Sequence, residues 1–303
     1  MDQPTNVKAK SDNRIVTPFQ RRKGINQQQI GWATLLRGGP IIALLLLFVY
    51  FSFASPHFAS WSNFKNVAQQ NAYLIIVAVG QTLVITGAGI DLSVGAVMAV
   101  SASIMAVVAT QQISLLGMKI GPLNVWIAIL IGLGVGILAG LVNGLVITKG
   151  RIPDFIATLG MMEAARGIAL LVTGGLPVPS HLTATKLKGY LPEVIIWMGG
   201  RDIFGIPTGP LVALIMVIIG WVLLSQTVLG RSVFAIGGNK EGARVSGLKV
   251  DRIKIATYVF MGVMAAVAGI ILTGRMNSAN ALMATGVELN CIAAVVIGGT
   301  NLF

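Results

Sequence analysis

The chain has 303 residues, 55% hydrophobic and 11% charged, with a formal net charge of +12 and a mean hydropathy of +0.82. Soluble domains carry about 25% charged residues, so this composition excludes a water-facing globular surface. One cysteine, Cys291, excludes a disulfide framework or a thiolate cluster, and His57 and His181 have no metal-ligand spacing to a carboxylate, so neither metal nor cofactor is expected.

Residues 1–37 form a basic polar tail, with Lys8, Lys10, Arg14, Arg21, Arg22, Lys23 and Arg37 against Asp2 and Asp12. A first span is predicted over 38–54, ended by Pro56. The segment after it, SPHFASWSN, is a poor small-residue cleavage site, so the span is read as retained. A second span over 71–86 breaks at GAGID, between Gly87 and Asp91, and a third resumes at Leu92 and fades near Thr110. After the loop QQISLLGMKIGP, a fourth span over 124–147 stops at TKGRIP, and a fifth over 154–173 ends at GGLPVP. Residues 176–207 read as a proline-rich loop, 208–225 as a sixth span, and 229–254 as a charged loop. A seventh span over 255–272 and an apolar segment over 289–299 complete the pass.

The expected fold is therefore all-α, a polytopic transmembrane bundle of about seven full spans plus a truncated eighth, at about 20 apolar residues per span. Residues 38–303 form this membrane domain. Outside the tail, the basic loops are TKGRIP and 229–254, and both fall on the cytoplasmic side if the N-terminus is cytoplasmic and each segment crosses once. That distribution assigns the positive charge to orientation in the bilayer; nucleic-acid binding is not expected.

The intramembrane polar residues are the candidates for function. Asp91, with Ser93 beside it, sits where two apolar helices meet; broken helices at membrane depth mark transport sites, and an aspartate there also caps the following helix. Glu163 and Arg166 lie three apart on the fifth span and can pair, either structurally or along a substrate pathway. Gly132, Gly136, Gly140 and Gly144 recur at i, i+4 on the fourth span and make a smooth face for close helix packing, with Asn143 beside it as an interhelical donor. Glu288 and Asn290 are placed to cap the final apolar segment, and Arg275 reads as an interfacial anchor. In the charged loop, Asn239 can cap a short helix over KEGARVSG that ends near Gly247, or the segment is a plain charged turn. No nucleotide-binding or hydrolytic motif is present, so an enzyme is not expected.

Four stretches, GIDLSVGAVMA, FIATLGMMEAARGIALLVTGG, LGRSVFAIGGNKEGARVSGLKVDRIKI and ELNCIAAVVIGGT, resemble the permease subunits of bacterial ABC importers for monosaccharides, the ribose/xylose/galactose group. The resemblance runs in order over roughly residues 33–303 and is strongest to ribose-type permeases. It implies a monosaccharide carried across the bacterial inner membrane by alternating access. It also implies a second permease copy, cytoplasmic ATPase subunits and a periplasmic sugar-binding protein as partners. Asn239, Glu241, Ala243, Arg244 and Gly247 fall in the loop that docks on the ATPase in that family. Gly242 stands where the family pattern more often has alanine, and Asn290 where it has aspartate. The family continues past GGT with further spans, so the chain reads as ending early. An ion-coupled secondary transporter and a nontransporting truncated copy are the alternatives.

Overall fold

The computed structural model describes residues 27–115, 118–182 and 185–301. Most of the predicted basic tail lies outside the described residues. The chain forms two compact units, Met1–Phe58 and Ala59–Phe303. In the first, α1 (Gln27–Ala54) begins ahead of the predicted start at residue 38. Its apolar stretch is Ile41–Ala54. Phe51 turns its ring to Phe58, as does Phe48, with centroids 5.5 Å apart in both pairs.

The second unit runs through α2 (Trp61–Thr86), α3 (Val94–Thr110), the hairpin β1 (Ile113–Leu115) with β2 (Met118–Ile120), α4 (Val125–Thr148) and α5 (Asp154–Thr173). It continues with α6 (Glu193–Gly200), the small hairpin β3 (Asp202–Ile203) with β4 (Ile206–Pro207), α7 (Thr208–Gln226), α8 (Val228–Gly238), α9 (Lys240–Val245), α10 (Val250–Met276) and α11 (Val287–Ile297). Five of these, α2, α4, α5, α7 and α10, are long and apolar enough to cross a membrane. The architecture is that of a helical multi-pass membrane protein.

Local chemistry sets the helix ends. Ser60 accepts from the Asn63 backbone N–H at 3.2 Å and starts α2 at Trp61. That is ten residues before the predicted start at Asn71, because the polar first turns are helical although not apolar. Asn124 caps α4 through the Trp126 N–H at 3.0 Å. Asn277, in the left-handed region at φ 55°, ends α10 in the conformation asparagine tolerates better than most residues. The helix α10 begins at Val250, earlier than the predicted 255, so Lys254 lies inside its first turns. Within the predicted loop 176–207, α6 and the β3–β4 hairpin are additional structure.

The core is built on α10, which packs against α4, α2, α3 and α6. Lipid gives no hydrophobic drive between helices, so close backbone approach and polar contacts must hold them together. Small residues allow that approach. A side chain on Gly136 would meet the Gly262 carbonyl, one on Gly140 the Tyr258 carbonyl, and one on Gly144 the Ile255 Cα at 2.8 Å, all on α10. Gly132 faces α3 instead, with Met105 Cβ at 3.1 Å and the Ser101 carbonyl at 3.2 Å.

Candidate functional site

The break between α2 and α3 is the centre of the polar interior. The backbone turns sharply at its start: the Gly87 N–H donates to the Leu83 carbonyl at 3.1 Å and the Gly89 N–H to the Val84 carbonyl at 2.9 Å. Ala88 between them takes φ 54°. Gly89 is forced by its neighbours, since a Cβ there would lie 2.7 Å from Asp154 Oδ2 and 2.9 Å from the Tyr258 hydroxyl. Asp91 Oδ1 then accepts the Ser93 backbone N–H at 2.8 Å and the Ser93 hydroxyl at 2.6 Å. This bond falls one residue ahead of α3, whose N-cap position is Ser93 with no side-chain cap bond. The aspartate therefore closes a turn that feeds the helix, rather than binding the helix's own first N–H groups.

Asn143 on α4 donates from Nδ2 to the Ser93 hydroxyl oxygen at 2.9 Å. Asp91, Ser93 and Asn143 thus form one buried chain joining the break to α4. The space they share with Gly140, Met261 and Ala265 is too small to admit water. In this conformation the three residues clasp the break to α4.

A second network seats the break from below. Lys254 Nζ binds both carboxylate oxygens of Asp154, at 3.0 and 2.7 Å. The Tyr258 hydroxyl donates to Asp154 Oδ2 at 2.9 Å and lies 3.3 Å from the Ile90 carbonyl oxygen. The start of α5, the first half of α10 and the break are tied together through one carboxylate. Sequence reading missed this: Asp154 and Lys254 are 100 residues apart, and each looked like an ordinary charge at a span boundary. An aspartate in a helix's first turn was the available signal.

Arg166 and Glu163 do not pair. Arg166 Nη1 donates to the carbonyls of Ala281 and Met283 at 2.7 and 2.9 Å, and so holds the connection between α10 and α11. Glu163 is exposed on the outer face of α5. Gly160 and Gly167, one turn to either side of it, face open space. Neither predicted cap of α11 forms: the cap position is Gly286, Asn290 is exposed, and Glu288 Oε2 is buried without a hydrogen-bond partner. The predicted loop helix is present as α9. Asn239 accepts the Gly242 N–H at 2.8 Å, Gly247 follows at φ 85°, and Arg244 pairs with Glu241 at 3.2 Å. Ala243 is buried, whereas Val245 is 87% exposed.

Five apolar helices, a broken helix with a polar clasp and a short helix between α8 and α10 define a polytopic helical membrane protein. Residues 63–303 match the family described as branched-chain amino acid transport system / permease component, and the chain belongs to that family. It is 38% identical over 270 residues to the ribose import permease protein RbsC of Escherichia coli (strain K12), covering 89% of this chain and 79% of that protein. The RbsC protein of Bacillus subtilis (strain 168) is 39% identical over 265 residues, with 87% of this chain and 76% of that protein covered. The galactofuranose transporter permease protein YtfT of Escherichia coli (strain K12) is 35% identical over 271 residues, with 86% and 74% covered. No solved structure matches the chain.

Proposed function

We propose that the chain is the membrane-spanning permease subunit of an ATP-driven importer that carries a monosaccharide, ribose or a close relative, inward by alternating access. The observation that carries this reading is the identity of 38–39% with ribose import permeases over almost nine tenths of the chain. The subunit itself is no enzyme; a separate cytoplasmic ATPase powers it and a periplasmic binding protein delivers the sugar. The basic segments around Arg151 and residues 229–254 face the cytoplasm with the N-terminus, following the bias of Lys and Arg toward that side. Seven full spans and an eighth segment satisfy that bias.

The helix α9 is the docking element for the ATPase. It is capped at Asn239, anchored by buried Ala243, and presents Val245, Glu241 and Arg244 outward. The α5 face bearing Gly160, Glu163 and Gly167 lines the pathway and is covered by a second permease copy. A carboxylate facing hydrocarbon costs a few kcal/mol, so Glu163 needs protein or water against it. Arg166, Asp91, Ser93 and Asn143 hold the frame behind that face. The same geometry disfavours ion coupling through Asp91, which is enclosed.

The experiment is reconstitution of the full-length chain with its ATPase and binding protein, reading sugar-stimulated ATP hydrolysis and assembly. Glu241→Lys reverses a charge on α9, and Gly247→Asp forces a side chain onto a left-handed position. Both should abolish assembly and stimulation while leaving the membrane helices inserted. If both variants assemble and respond to sugar as wild type does, α9 is not the docking element.

A further inference from the structure

We propose that the groove at the foot of α4, α5 and α10 binds the headgroup of an anionic glycerophospholipid. The groove has a volume of about 960 Å³ and is bounded by the end of α4, the 151–153 turn, the first turns of α5 and α10, and α9. Three of its cations are already neutralised: Lys254 by Asp154 at 2.7 Å, Lys149 by Asp251 at 3.8 Å, and Arg244 by Glu241 at 3.2 Å. That accounts for every acid in the lining. Arg151, Lys240, Lys249 and Arg252 remain, all exposed and none in an ion pair among the described residues. Four like charges around one concavity repel one another, and a multi-oxygen anion removes that repulsion. Two of the four are guanidinium groups, whose forked donors match a phosphate.

Two further features point the same way. The helix α10 starts at the groove with Lys249 in its cap position and no side-chain cap bond, which leaves backbone N–H groups for an acceptor. Arg151 is held at φ 54°, a conformation uncommon for a non-glycine residue. The choice of a lipid over a free phosphate comes from the apolar residues that adjoin the groove in the chain. Ile152, in the lining next to Arg151, is 38% exposed, and Phe155 and Ile156, which follow on the first turn of α5, are 54% and 57% exposed. A soluble anion gains nothing from that apolar ledge, whereas acyl chains lie along it with the phosphate held above. Basic pockets between membrane helices are suited to such headgroups, at about 1 kcal/mol per cation near the surface. The inference rests on the chain being a membrane protein and not on the sugar; α9, one wall of the groove, is also the element proposed to dock the ATPase, so assembly is measured alongside lipid binding.

The test titrates short-chain phosphatidylglycerol, phosphatidylcholine and glycerol 3-phosphate into the purified full chain and follows bound lipid by native mass spectrometry and thermal unfolding. Wild type should bind and be stabilised by phosphatidylglycerol well above the other two. The double variant Arg151→Gln, Arg252→Gln should bind phosphatidylglycerol about thirtyfold more weakly, with unchanged helicity. The control pair Lys186→Gln, Lys188→Gln, outside the groove, should bind as wild type. Equal binding of phosphatidylcholine, equal stabilisation by glycerol 3-phosphate, or equal losses in the control pair would each overturn the proposal. So would a double variant that keeps its lipid preference but fails to assemble with the ATPase, which would make the groove a protein contact instead.

Discussion

Asp91 and Glu163 are both carboxylates set within apolar sequence, yet their surroundings are opposite. Asp91 is 3% exposed and spends one oxygen on two bonds to Ser93, which Asn143 then ties to α4. Glu163 sits on an open face of α5 between glycines with nothing against them. Burial with satisfied partners is how a membrane protein uses a polar group as structure. Exposure at a depth where charge is costly calls for water or another protein against that face. A carboxylate's position in the sequence therefore says less about its role than the packing on the helix that carries it.

The largest effect is expected where the buried frame is broken. Lys254→Met leaves Asp154 with only the Tyr258 hydroxyl, and removing one partner of a buried pair costs about 3 kcal/mol. The pair's side chains are only 10% and 18% exposed, so solvent relieves little of that cost. A steep fall in the unfolding midpoint in detergent checks this; an unchanged midpoint would mean the network under the break is not structural.

Next, Gly136→Leu pushes a side chain into the Gly262 carbonyl and must part α4 from α10. Overpacking of this kind costs about 2 kcal/mol. The alanine variant should fall between wild type and leucine in thermal stability, and a leucine variant as stable as wild type would show that the two helices can separate freely.

Asp91→Asn keeps an acceptor oxygen for both Ser93 bonds, so the loss should stay near 1 kcal/mol or less. Membrane abundance and unfolding midpoint read it directly. Asp91→Leu removes the acceptor from a buried N–H and should cost about 2 kcal/mol. If the two variants are equally unstable, the geometry of the turn matters less than the ionised oxygen, and the clasp reading weakens.

Much of this frame was legible in the residues. The break at GAGID, the cap at Asn239 and the helix end just before Gly247 carry local signals and fall where those signals put them, whereas the i, i+4 glycines divide, Gly136, Gly140 and Gly144 against α10 and Gly132 against α3. The helix starts of α2 and α10 were misplaced because hydropathy marks where lipid begins, not where hydrogen bonding begins. The pairing of Glu163 with Arg166 failed for a different reason. Spacing of three makes a pair available, but Arg166 found two backbone carbonyls in the turn before α11, 115 and 117 residues away in the chain. The Asp154–Lys254–Tyr258 network was hidden for the same reason, since only the folded arrangement of α5, α10 and the break brings it together.

The measurement closest to the central claim is sugar uptake per copy of protein in the membrane, taken side by side for Glu163→Gln and Asp91→Asn in the full-length chain with its partners. An exposed substitution should move stability by no more than about 0.5 kcal/mol. Glu163→Gln should therefore reach wild-type abundance and yet lose most of its uptake. Asp91→Asn should lose uptake only in proportion to any loss of abundance. Wild-type uptake in Glu163→Gln together with full loss in an abundant Asp91→Asn would contradict the account, and would move the working carboxylate from the open face of α5 to the break.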